Sequence, residues 1–149
     1  MRISKNFPVA VHSLLIMAQF GNTVKITSTL IARSTGSNAV TIRNIFIALK
    51  KHGLIESTTG KNGGACLAKK AKKISLWDVY NAVETDDIDE IFNFHEGSGS
   101  CPVGKNIYQL MYPHMNDAFE AMKNELRAVS LDALITELTE IIGQTTDTK

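Results

Sequence analysis

Apolar residues in the first third of the chain recur at helical spacing in three stretches, each closed by a turn residue. Phe7, Val11, Leu14, Leu15 and Ala18 share one face between Phe7 and Phe20, with Asn6 or Ser4 as cap, Pro8 tolerable in the first turn and Gly21-Asn22 at the end. A short β-prone run, Val24-Lys25-Ile26, follows. Thr27-Ser28 then caps a second helix carrying Leu30, Ile31 and Ala32, which stops at Thr35-Gly36, where a sharp turn needs positive φ. Ser37-Asn38 caps a third, in which Ile42, Ile45, Phe46 and Leu49 repeat at i, i+3, i+4 and i+7 and predict a buried stripe. Its opposite face carries Val40, Arg43, Asn44, Ile47 and Lys51, polar and basic near its beginning, as suits a helix whose first turns enter a major groove.

After His52-Gly53 the period changes from helix to strand. Leu54 to Thr58 reads as one strand and Ala65 to Ala68 as a second, so Thr59-Gly60-Lys61-Asn62-Gly63-Gly64 forms the basic, flexible tip of a hairpin. Those glycines could also suggest a phosphate-binding loop, but such a cradle needs a helix after the glycines and usually a Gly-Lys-Ser/Thr ending, and neither is present. The run Lys69-Lys70-Ala71-Lys72-Lys73 suits either a solvated connector or a contact with backbone phosphate. Ser75 and Asp78 then form a capping box for a helix with Leu76, Val79, Tyr80 and Val83 on one face. Trp77 lies off that stripe, placed to cover an edge or a partner.

From Thr85 to Gly99 the chain turns acidic and then loose, ending in His95-Glu96-Gly97-Ser98-Gly99-Ser100. Beyond it Ile107, Met111, Met115, Ala118, Met122, Leu126 and Val129 make a near-heptad stripe, long enough to call for a partner helix. Pro113 removes the bond back to the Gln109 carbonyl and predicts a bend. Ser130 caps a last helix with Leu131, Leu134, Ile135, Leu138, Ile141 and Ile142 on one face, stopped by Gly143 and followed by a polar, frayed tail from Gln144. The pattern predicts a mainly α fold with a small β-hairpin: a winged helix-turn-helix unit over residues 1–84, a flexible loop over 85–101, and a long helix in need of a partner, with a C-terminal helix, over 102–149.

Charge sharpens this division. Residues 1–73 hold 12 Lys and Arg against one acid, Glu56, a balance of +11, whereas residues 74–149 hold 4 bases against 14 acids, a balance of −10. The first half is suited to face a polyanion and the second to keep the molecule soluble. A length of 149 residues with 44% hydrophobic content supports one domain and an appendage. No apolar run approaches the roughly 20 residues that span a bilayer, and MRISKNFPVAVHSLL lacks a small-residue cleavage site after its apolar part, so the cytoplasm is the expected location. Two cysteines, Cys66 and Cys101, are too few and too far apart to staple the fold, and neither sits in a zinc-type pair.

The run GLIESTTGKNGGACLAKKAKKISLWDVYNAVE, with the preceding SNAVTIRNIFIALKKHG and the later loop, cysteine and long helix, resembles the BadM/Rrf-type winged-helix transcriptional regulators, the group of IscR, NsrR and CymR. The resemblance covers essentially the whole chain and is most specific at Gly53-Leu54, Gly60, Gly63-Gly64, Leu67-Ala68, Ile74-Ser75-Leu76 and Val79 through Glu84. It implies a homodimer through the helix that begins near Cys101, presenting two winged units to a palindromic double-stranded operator. It further implies DNA contacts from Asn38, Thr41, Arg43 and Asn44 in the third helix and from Lys61 and Asn62 in the wing, to which Ser28, at the start of the second helix, is added.

Members of that family that hold an iron-sulfur cluster place three closely spaced cysteines before the long helix, because a cluster needs several converging thiolates. This chain keeps only Cys101, at the last of those positions, so no cofactor is expected. His95, Glu96 and Asp89 are the other conceivable ligands, more simply read as solvated loop residues. Cys101, with Pro102 at an N1-like position and Lys105 one turn on, stands where a helix dipole and a cation favour a thiolate, which makes it the candidate redox- or electrophile-sensing thiol. The plain alternative is an inert small hydrophobe. Cys66, in a strand, is a secondary candidate whose position suggests burial. A small-molecule ligand or a partner protein could control the regulator instead, and a winged helix used only for protein contacts is a further alternative. A thiol-imidazole enzyme site built from either cysteine with His12, His52, His95 or His114 lacks both an oxyanion hole and an orienting acid. The chain is therefore not expected to be an enzyme.

Overall fold

The computed structural model of the chain describes residues 3–84, 87–95 and 97–146. Helix α1 spans Asn6–Phe20, α2 Ser28–Thr35 and α3 Ala39–Lys51. Strands β1 (Ile55–Thr58) and β2 (Gly64–Leu67) follow, then a single 3-10 turn (Ala71–Lys73) and helices α4 (Leu76–Val83), α5 (Ile88–Phe92), α6 (Pro102–Ala128) and α7 (Leu131–Thr146). The expected class, mainly helical with one antiparallel hairpin, is what the chain forms.

The helix stripes predicted from periodicity meet in one core. Leu14 of α1, Ile31 of α2, and Ile42 and Leu49 of α3 are fully buried, together with Leu54, Ile74 and Val79. At the start of α1 the expected side-chain cap is absent: Lys5 occupies the cap position, while Ser4 turns to Glu84, its hydroxyl and backbone N–H both donating to that carboxylate. The Val24-Ile26 run forms no strand: the Val24 N–H still closes the end of α1 on the Phe20 carbonyl at 2.8 Å. One backbone hydrogen bond joins it to the wing, from the Ala65 N–H to the Ile26 carbonyl at 2.8 Å.

Helix α4 occupies the centre of the arrangement, touching α1, α3 and α6. Its capping box forms as expected: the Ser75 N–H donates to Asp78 Oδ2 at 2.8 Å and the Asp78 N–H to Ser75 Oγ at 3.1 Å. Trp77 is buried within its own chain, stacked on Tyr80 at 5.2 Å and meeting the edge of Phe119 of α6 at 5.9 Å. Lys123 Nζ and the Arg127 guanidinium lie 5.4 and 5.8 Å from its ring centre, where the negative face of the indole attracts cations.

Helix α6 runs for 27 residues through Pro113 as one helix, with Phe119 as its buried residue. Its C-terminal end is stitched to the entrance of α4 by two backbone bonds, Leu76 N–H to the Val129 carbonyl at 2.9 Å and Leu131 N–H to the Ile74 carbonyl at 2.7 Å. Helix α7 then packs on α1 and the 3-10 turn, with Leu131 entering the main core. Gly143 does not stop it: without positive φ at this glycine there is no left-handed cap, and the helix continues to Thr146.

Phe119→Ala should lower unfolding stability by about 3–5 kcal/mol, the usual cost of emptying a buried aromatic site, as measured by denaturant titration of Trp77 fluorescence.

Candidate nucleic-acid interface

The α2-turn-α3 unit is set by its caps. Thr27 Oγ1 accepts the Leu30 N–H at 3.2 Å to start α2, and Gly36, at φ 67°, turns the chain out of it. The Ser37 N–H then returns to the Ala32 carbonyl at 3.1 Å, and Asn38 Oδ1 accepts the Val40 N–H at 2.8 Å to start α3. Asn38 therefore has a structural duty besides its expected contact role, and Ser28 sits half-buried in the first turn of α2.

On α3, Arg43 and Asn44 are exposed and Thr41 is half-buried. Thr41 and Asn44 share a cleft of about 330 Å³ with Asn6 from the start of α1 and with Ala82 and Val83 from the end of α4. Arg43 is not part of that lining, so the structure gathers two of the four predicted α3 residues at one shallow feature and leaves Arg43 free to point outward.

The wing pairs Ile55 with Leu67 and Thr58 with Gly64. Its tip closes at Gly60 (φ 96°), whose carbonyl accepts the Gly63 N–H at 2.9 Å. Lys61 and Asn62 stand exposed at that tip, and Lys25 Nζ ties it to the α1–α2 connection by donating to the Lys61 carbonyl at 2.6 Å. In this register Ala65 faces the core while Cys66, opposite Glu56, faces outward. The burial expected of Cys66 is thus corrected: strand alternation gives the inward position to its neighbour.

Among the described residues the ion pair formed is Lys123–Glu120, in the acidic half, and no cation from residues 3–73 is in a salt bridge. Lys69, Lys70, Lys72 and Lys73 are exposed around the 3-10 turn. The basic half is therefore not neutralised from within.

Cys101 is exposed and caps α6, its Sγ accepting the Gly104 N–H at 3.5 Å, with Pro102 opening the helix. The preceding loop lies tightly on that first turn: a Cβ on Gly97 would stand 1.9 Å from the Gly104 carbonyl oxygen. A short helix unforeseen in the sequence, α5, precedes it, capped by Asp87, which accepts the Asp89 N–H at 2.9 Å. The signal was there, an aspartate before an Ile-Asp-Glu-Ile run, but five residues are too few for periodicity to speak. Asp89, Phe94, His95, Lys105 and Tyr108 border a cavity of about 420 Å³. The Tyr108 hydroxyl donates to Asp89 Oδ1 at 2.9 Å, and this bond to a carboxylate pushes the phenol pKa above its ordinary value. Glu96 lies outside the described residues. Of the histidines, His12 Nε2 lies 3.2 Å from Ser34 Oγ, His52 Nδ1 lies 3.0 Å from the Ala48 carbonyl, and His114 is exposed.

A helix-turn-helix with a carboxylate-free second helix, followed by a β-hairpin with a basic tip, defines a winged-helix DNA-binding protein. The chain belongs to the Rrf2 family, whose model, described as an iron-dependent transcriptional regulator, matches residues 3–137. YwnA of Bacillus subtilis (strain 168), assigned as an HTH-type transcriptional regulator, is 34% identical over 137 residues, covering 91% of this chain and 98% of that one. A crystal structure assigned as a transcriptional regulator from Lactobacillus plantarum is 27% identical and superposes with a TM-score of 0.79 over 97% of this chain and 98% of that one. Another, assigned as a DNA binding protein, is 30% identical, with a TM-score of 0.69 over 88% and 99%. The chain is a DNA-binding transcriptional regulator, and its relatives are regulators rather than enzymes.

The iron in the family's description does not fit the donors present. Cys101 is the one thiol at the start of α6, Cys66 belongs to the wing, and the described residues contain no group of three His, Cys, Asp or Glu able to hold a metal ion. An iron-sulfur cluster ordinarily takes four thiolates, or two with two histidines.

Gly97→Ala should lift the loop from α6, since backbone and not a flexible side chain stands in the way. Hydrogen exchange of amides 98–105 should quicken while that of α3 stays unchanged.

Proposed function

We propose that the chain is a cytoplasmic homodimeric repressor that binds a palindromic operator and excludes polymerase from the promoter. The observation that carries this reading is the unpaired basic half, a balance of +11 with no acid on α3 and no salt bridge among its described cations. Arg43, Asn44 and Thr41 address base edges in the major groove, Lys61 and Asn62 reach the adjacent minor groove or backbone from the wing, and Ser28, Asn38 and the lysines around the 3-10 turn meet phosphate. Dimerisation runs through α6, on which Val103 and Leu110 are 67% and 60% exposed and Ile107, Met111 and Met115 half-buried, an apolar surface that a second copy would cover. Two such units set their α3 helices roughly 34 Å apart, one turn of DNA.

No resident cofactor takes part. The signal acts on Cys101, whose modification by an oxidant or electrophile adds a group to the Sγ that accepts the Gly104 N–H and disturbs that cap at the head of the dimer helix. A second reading has an observation of its own: the cavity beside Tyr108 has room for a small-molecule effector, with no duty for the thiol.

Binding to the chain's own promoter should weaken steeply with salt, as several phosphate contacts per half-site require; a salt-insensitive protein would be an interaction module instead. Arg43→Ala should reduce discrimination between operator and random DNA by about 1–3 kcal/mol. Equal losses on both DNAs would make Arg43 a phosphate contact. Cys101→Ser should bind operator as wild type does under reductant but no longer respond to oxidant; identical behaviour of the two proteins in both conditions would end the thiol reading.

A further inference from the structure

The outward face of α3 is aliphatic along its middle. Val40 is 53% and Ile47 67% exposed, although the other large apolar residues of this helix, Ile42, Ile45, Phe46 and Leu49, are all buried. Seven positions apart is close to two helical turns, so the two side chains lie nearly in line, opposite the buried stripe. Arg43 and Asn44 fall between them along the axis, one on each flank.

A single exposed aliphatic residue on a protein surface needs no explanation. Two β-branched residues bracketing the polar pair of a DNA-facing helix narrow the choice of partner. It must offer apolar groups, hydrogen-bond acceptors and negative charge in one surface, because α3 and the turn before it carry no acid and no described cation of the basic half is in a salt bridge. An apolar groove of a second protein would meet Arg43 without a counter-charge. The major groove supplies all three, and the apolar group it displays on base edges is the thymine C5-methyl. Val and Ile suit such a contact because their χ1 is stiff, so little side-chain freedom is lost when they are covered.

We propose that Val40 and Ile47 read thymine methyl groups, so that each half-site carries thymines on either side of the bases addressed by Arg43 and Asn44. Seven residues of helix advance about 10 Å, which places the two thymines about three base-pair steps apart. The inference rests on the operator-binding role proposed for α3 and adds to it a statement about operator sequence.

The test uses the full chain to select a preferred site from random duplex DNA, then replaces each thymine of that site singly with deoxyuridine, which removes the methyl and leaves every hydrogen-bonding group. Wild type should lose about three- to fivefold in affinity at two thymines of each half-site, the worth of one methyl-sized apolar contact. Ile47→Ala should abolish the difference between thymine and uracil at one of them and Val40→Ala at the other. Both variants should keep the wild-type circular dichroism, since neither side chain belongs to the core. A selected site that tolerates uracil throughout, that lacks thymine in its half-sites, or that keeps its thymine preference in both variants overturns this inference and leaves the operator reading standing. A selection returning no preferred sequence overturns both.

Discussion

The contact on which the rest of the molecule depends is the aromatic joint between α4 and α6. Trp77 and Tyr80 present their faces from one helix, Phe119 enters from the other, and Lys123 and Arg127 lie over the indole. Phe7 meets the edge of Tyr80 at 5.6 Å, so the same cluster also fixes the start of α1. Without this joint the long helix would hold to the winged unit chiefly through the two backbone bonds around Ile74 and Val129. With it, α4 serves as a common wall for α1, α3 and α6.

The division of charge gives that joint a second meaning. A basic winged unit and an acidic arm would attract each other if left to fold freely, and the arm could cover the surface meant for DNA. The described residues show no such pairing between the two halves, since the salt bridge formed is local to α6. Apolar contacts, not opposite charges, set how the arm meets the winged unit, which leaves the cations of α3, the wing and the lysine turn available to phosphate.

Much of this was legible from periodicity and punctuation. The stripes of α1, α2 and α3, the Gly36 turn, the Ser75 capping box and the hairpin each follow from local chemistry, and local chemistry is what a sequence displays. Three features were not. Trp77 lay off the predicted stripe because its partner, Phe119, is far away in the chain. Cys66 was expected to be buried because membership of a strand does not say which of two alternating faces turns inward. Gly143 was expected to end α7, but glycine permits a left-handed cap without compelling one. The candidate interface divides in the same way: residue types on α3 and the wing tip were readable, whereas the tether from Lys25 to the wing and the close seating of Gly97 on Gly104 needed three dimensions.

The stitch between Ile74-Leu76 and Val129-Leu131 has a mechanical consequence. It holds one end of a rod whose other end begins at Cys101, with Phe119 about 27 Å from that far end at 1.5 Å per residue. A rotation of about 5° around Phe119 displaces the neighbourhood of Cys101 by about 2 Å, and the same leverage runs in reverse. Movement at that far end would reach α4 reduced in amplitude but multiplied in force, against the very helix on which α3 is seated.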